Sequence, residues 1–227
     1  MTRNSRRRWR LVLVVGLPLL AVAAFYFFWP RQANLRGFKP EAVARLETVM
    51  WHHYYEREYA SLFRALYALS RSEYHFSPWD STCLSFYAAK AAGVFQRSRS
   101  RGEAQKALPM LERYYRIIRE RGGETFDVEK AARLELEWWQ LRREKATPAQ
   151  YGEVVAQVAE ELYRVSNDEI RQSGLLRAEM MLYRDERRDV WMEEDDWAHI
   201  QEGLTRSYRA LKSGIERPAA PRGALEK

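Results

Sequence analysis

Residues 11–29, LVLVVGLPLLAVAAFYFFW, contain no charged side chain, and that run restricts the chain more than any other feature. Nineteen residues wound as an α-helix rise about 28 Å, close to the hydrocarbon thickness of a bilayer. Trp9 and Trp29 bracket the run where interfacial aromatics belong, and Arg3, Arg6, Arg7, Arg8 and Arg10 precede it. This positive flank holds the N-terminus on the cytoplasmic side. The expectation is a single-pass protein of a bacterial inner membrane. Residues 1–10 form a basic cytoplasmic tail, 11–29 the transmembrane helix and 30–37 a linker. An ectodomain over 38–215 faces the periplasm, and residues 216–227 form a disordered tail.

Two other readings share the same residues. A cleavable signal peptide also starts basic and turns apolar, and Ala21-Val22-Ala23 offers a small-residue cleavage site. The apolar run continues through Phe25 to Trp29, however, which lengthens it from signal size to spanning size. SRRRWR, Ser5 to Arg10, resembles a twin-arginine export motif, although the run behind it is more apolar than such signals carry.

The N-terminal arginines also account for most of the charge. The whole chain is +7, but setting those five aside leaves 33 basic against 31 acidic residues, mixed in sign along the chain. A domain so near neutrality has no stripe for gripping phosphates, so nucleic acid is not expected as a partner. Cys83 is the only cysteine, which excludes an intrachain disulfide and a thiolate zinc site. It reads as a small packing residue near a helix start.

Beyond Phe38 the chain shows helical punctuation and almost no period-two alternation, so the fold class is all-α. Pro40, Ser77-Pro78 with Asp80, Ser100 with Glu103, Asp127, Thr147-Pro148 with Gln150, and Ser166 with Glu169 read as helix starts. Gly122-Gly123 reads as a stop. About seven soluble helices follow, near 40–73, 78–97, 102–121 (bent at Pro109), 128–145, 148–165, 168–187 and 191–213. Short connections make neighbours antiparallel, stacking αα-hairpins as a bundle or a short solenoid.

One stretch raises the possibility of a metal. In WHHYYERE, Trp51 to Glu58, His52 and His53 lie four and three residues ahead of Glu56, a spacing that can share a helix face. Glu135 projects into the apolar arc of Val128, Ala131, Ala132, Trp138 and Trp139, and Glu179 stands among leucines and methionines. The alternative reading is therefore an exported carboxylate/histidine metal-binding bundle using His52, His53, Glu56, Glu135 and Glu179. The favoured reading keeps them structural: Glu135 paired with Arg142 or another arginine, Glu56 bonded to a tyrosine hydroxyl, His52 an interface residue. No cofactor is expected. The chain lacks a Gly-rich phosphate loop, HExxH, GxSxG or an EF-hand loop. With 8 Trp and 13 Tyr, the ectodomain reads as a protein-interaction or scaffolding module of the cell envelope rather than an enzyme. Its expected partners are the bilayer through residues 11–29 and an envelope protein.

Overall fold

The computed structural model describes residues 16–187 and 190–217. Helices make up the fold, with no strand among the described residues: α1 (Leu17–Phe28), α2 (Pro40–Tyr55), α3 (Tyr59–Ser72), α4 (Pro78–Arg97), a one-turn α5 (Arg101–Ala104), α6 (Leu108–Gly122), α7 (Val128–Arg143), α8 (Pro148–Tyr163), α9 (Asp168–Glu186) and α10 (Glu194–Glu216).

The starts follow the cap chemistry. The side chains of Ser77, Ser100 and Asp127 accept from backbone N–H groups in the first turns of α4, α5 and α7. Thr147 and Gln150 form a reciprocal capping box at α8. At α9 the expected cap was Ser166, whereas Asn167 takes the role, its side chain accepting from Ile170 N.

Two expected helices divide. The stretch 40–73 breaks at residues 56–58, where Arg57 adopts φ 59° and Glu58 N donates to His53 O at 2.9 Å. His75 and Lys145 stop α3 and α7 with the same left-handed turn, Phe76 N reaching Ser70 O and Ala146 N reaching Leu141 O. The ends at Arg57 and Lys145 are Schellman-type and built without glycine; the expected stops near 73 and 145 lie within two residues of those observed, whereas the break at 56–58 gave no sequence signal. The stretch 102–121 is not a bent helix: a 3-10 turn, Gln105–Ala107, separates α5 from α6, and Pro109 lies in the first turn of α6, where its missing N–H costs nothing.

The apolar run at the N-terminus is described only from Gly16. Its helix, α1, has 12 residues, about 18 Å of rise; residues 11–15, the expected basic tail over 1–10 and residues 218–227 of the expected disordered tail lie outside the described residues, while Glu216 still belongs to α10. No helix among the described residues is long and apolar enough to cross a membrane, so the spanning helix over 11–29 expected from the sequence is not found.

From α2 onward each long helix packs on the next, and α10 returns to pack on α2. The hairpins thus curl until the last meets the first and form a closed ring, a third arrangement beside the bundle and open solenoid expected. One apolar core runs through it from Ala33 to Ile215, joined by smaller clusters around Trp138 with Met181 and around Met180 with Leu204.

The segment between α1 and α2, read as a linker, is a strap across one mouth of this ring. Ala33, Leu35 and Phe38 are buried. Ala33 N donates to Arg121 O at 2.8 Å and Asn34 N to Tyr74 O at 2.9 Å. Tyr163 Oη donates to Leu35 O at 3.1 Å. Arg36 reaches Glu124 Oε1 at 2.9 Å, Tyr163 O at 2.8 Å and Ile215 O at 3.3 Å. The ends of α3, α6, α8 and α10 are thereby tied to one short piece of chain. Leu35 lies so close on Gly122 that a β-carbon there would meet its Cδ1 at 2.5 Å.

Helices α8 and α9 approach closely where Gly152 and Gly174 face each other. A β-carbon on Gly174 would stand 2.3 Å from Gly152 O and 2.8 Å from Ala156 N, backbone atoms that cannot swing aside. Gly174→Ala should therefore destabilise the protein by about 1–3 kcal/mol despite alanine's better helix propensity, read as a lowered midpoint in chemical denaturation.

Candidate functional site

The interior of the ring is organised around Glu47, 3% exposed on α2. It lies one turn before Trp51, whose Nε1 donates to Glu47 Oε1 at 3.2 Å. Arg177 of α9 donates to the same oxygen from both Nε and Nη2, and Tyr208 of α10 donates its hydroxyl to Oε2. Burial lowers the pKa of Arg177, but the Glu47 carboxylate and Tyr208 outweigh it and hold the guanidinium above its ordinary value. Burial and then Glu47 push the Tyr208 phenol well up. Both partners of Glu47 stay in the state the network needs: a charged guanidinium and a neutral phenol.

The second interior carboxylate is Glu135. Tyr115 Oη donates to its Oε2 at 2.8 Å and Trp139 Nε1 to its Oε1 at 3.0 Å. The expected pairing with Arg142 is not made. Arg142 forks onto Asp185, with Nε to Oδ2 at 2.7 Å and Nη2 to Oδ1 at 2.8 Å, and also donates to Tyr55 Oη. Arg184 lies over the same Tyr55 ring, 4.0 Å from its centroid.

The stretch WHHYYERE is pulled apart by these geometries. Trp51 belongs to the Glu47 network. His52 is exposed and packs tilted against Trp197 with centroids 5.0 Å apart. His53 Nδ1 lies 2.7 Å from Glu58 Oε2, so its partner is Glu58. Glu56 is exposed at the C-cap of α2, and no tyrosine hydroxyl bonds it. Glu179 is exposed on α9. The five residues of the metal reading therefore do not converge, and no group of three or more His, Cys, Asp or Glu among the described residues could hold a metal ion. Cys83 is half-buried, and burial followed by the Asp80 carboxylate raises its thiol pKa.

Glu47, Arg177 and Tyr208 were missed in the sequence, although Glu47 carries a signal. Counting back one turn from Trp51 and two from Tyr55 extends the apolar stripe of α2 to Glu47, placing a carboxylate on the packing face.

Two surface concavities among the described residues bear on function. The larger, about 460 Å³, lies over Glu161, whose buried carboxylate is held by Lys130 at 2.7 Å and Arg164 at 2.8 Å and by Asp127 N at 2.9 Å. Its charges already answer one another. The second, about 270 Å³, is an apolar groove between α2 and α10 lined by Thr48, Val49, His52, His53 and Trp197. It lies in the last turns of α2 and the first turn of α10, about 18 Å along α2 from the strap. Trp191, 78% exposed, stands at the same end of the ring.

Comparison of the chain with protein-family models, with curated proteins and with solved structures finds no match.

The interior carboxylates should rank by what they leave behind. Glu47→Gln strands Arg177 and should cost about 3 kcal/mol or more. Glu135→Gln should cost about 1.5–3 kcal/mol, and exposed Glu56→Gln should stay within about 0.5 kcal/mol. Equal effects of Glu47→Gln and Glu56→Gln on urea midpoints would contradict the network. Alkaline pH tests the same interior. Tyr151 donates to Ala178 O at 2.6 Å, and burial, opposed by Arg142, pushes its phenol from 10 up to about 12. A raised phenol stabilises the fold fully below its unfolded pKa, and that contribution is lost as pH climbs through the folded value. The melting temperature should thus fall between pH 10 and pH 12, with Tyr151→Phe showing a shallower fall than the natural chain.

Proposed function

We propose that this chain is a membrane-anchored protein-interaction module of the bacterial cell envelope, its helical ring on the periplasmic side binding another protein at the end away from the anchor. The observation that carries this reading is the apolar groove of Val49, His52, His53 and Trp197. A tryptophan flanked by histidines in a surface groove, with a second, highly exposed tryptophan at the same end, has the makeup of an interaction hot spot. The interior contributes nothing reactive to this face: the carboxylates of Glu47 and Glu135 are consumed by arginine, tyrosine and tryptophan donors.

The anchor rests on the composition of residues 11–29 and on the surroundings of α1. Leu17, Leu19, Leu20, Val22 and Phe25 are all more than half exposed, so the ring does not cover them and lipid is the medium that suits them. The arginines before the run place the N-terminus in the cytoplasm and the ring in the periplasm.

A photo-reactive residue at Val49 of the full-length protein in native membranes should give one discrete cross-linked species, lost in Trp197→Ala. The same residue at Arg133, exposed on α7, should give none. Identical adducts from both positions would reject the groove as the binding face. Alkaline phosphatase fused to the C-terminus should be active, and an inactive fusion would reverse the topology.

A further inference from the structure

We propose that the mouth of the ring beside α1 is seated in the headgroup layer of a bilayer, with Trp79 and Arg71 of the ring completing an interfacial collar begun by Tyr26, Trp29 and Arg31. The proposal rests on the reading of α1 as part of a membrane anchor and adds what that reading leaves open: how the ring is held relative to the bilayer.

The first observation is the contact between α1 and the ring. Phe28 and Phe27 lie 5.2 and 6.1 Å from the Trp79 ring, centroid to centroid. Arg71, near the end of α3, donates to Tyr26 Oη at 3.4 Å. Arg31 Cζ sits 4.4 Å above the Tyr26 ring, and Phe25 packs on Trp29 at 4.4 Å. Trp79 remains 44% exposed, and Tyr26 and Trp29 are each 54% exposed. The ring thus brings its own tryptophan to the depth at which α1 ends.

The second observation is covalent reach. Phe28 ends α1, and Ala33 is already buried and bonded to Arg121 O. Four residues lie between them, so the gap is at most about 18 Å even at full stretch. An anchored α1 leaves the mouth of the ring no room to drift into bulk water.

The chemistry of the collar fits phospholipid. Tryptophan and tyrosine favour the boundary between acyl chains and headgroups, where arginine reaches phosphate. Neither Arg31 nor Arg71 pairs with a carboxylate among the described residues: Arg71 donates to Phe76 O and Tyr26 Oη, and Arg31 to Tyr26 O. Their charge is left for an anion outside the protein, and the lipid phosphate lies at that depth.

The sole cysteine provides the test. Cys83 lies one turn beyond Trp79 on α4, so a nitroxide attached to it in the full-length protein reports the depth of the collar. The protein would be reconstituted into phosphatidylethanolamine/phosphatidylglycerol vesicles and its collisions with oxygen and with a water-soluble nickel chelate compared by power saturation. A second label at Trp191→Cys, in a Cys83→Ser chain, marks the far end of the ring. Oxygen should prevail over nickel at Cys83 and nickel over oxygen at position 191, and Trp79→Ala with Arg71→Ala should move the Cys83 label toward the aqueous pattern. An aqueous pattern at Cys83 in a chain that floats with the vesicles would overturn the seating while leaving the anchor in place. Protection of Cys83 from both reagents would overturn it in favour of a protein covering the collar. A chain that fails to float would overturn the anchor itself, and the seating with it.

Discussion

The buried contact between Glu47 and Arg177 holds the two ends of the chain together. Every other neighbour pair in the ring is made by consecutive long helices, which a connection of at most about ten residues keeps close in any case. The junction of α2 with α9 and α10 has no such help. A carboxylate 130 residues from its arginine and 161 from its tyrosine closes the circle. Burying an ion pair contributes less to stability than to uniqueness: an apolar junction could slide by a turn, whereas a carboxylate that must meet a forked guanidinium and a phenol has one register. Ser173 and Ser207, bonded at 3.2 Å between α9 and α10, add a second polar peg beside it.

The strap serves the opposite function. By spending the backbone and side-chain donors of residues 33–36 on the ends of α3, α6, α8 and α10, it turns what looks in the sequence like a hinge into a lid over one mouth. The direction of α1 is therefore coupled to the ring through hydrogen bonds, and its terminal aromatics meet Trp79 as a fixed contact. The apolar groove lies at the other mouth, so the ring separates an end that faces α1 from an end that carries Trp197 and the groove.

Much of this was legible, and the divisions have physical reasons. Helix starts were readable because serine, threonine, aspartate and proline act locally, within three residues of the N–H groups they satisfy. The stops near residues 73 and 145 were readable to within two residues, but the break at residues 56–58 was not, because Arg57 takes there a left-handed conformation usually given to glycine. Ser166 lost the cap to Asn167 because that side chain also donates to Gly214 O at 2.9 Å, a contact from the far end of the chain that no local reading contains. The same distinction governs the site. Glu135 was recognised as a carboxylate on an apolar face, but its partners are Tyr115 and Trp139 rather than Arg142, since which donor reaches it depends on how α6 packs on α7. Closure of the ring, made by residues more than a hundred positions apart, was not legible at all.

Closure between the first and last long helices also sets an order of events during synthesis. A chain delivered from its N-terminus presents α2 and Glu47 well before α9 and α10 have left the ribosome, and the hairpins between them can form as they emerge. Until Arg177 and Tyr208 arrive, the inner face of α2 has an unmatched carboxylate among apolar neighbours and an open flank on each side. The nascent protein is thus most exposed to proteases and to pairing with another copy in the interval when it is nearly complete. A stop codon early in α10 would leave Glu47 its arginine but remove the Tyr208 hydroxyl and the helix that covers α2, so that flank would stay open permanently.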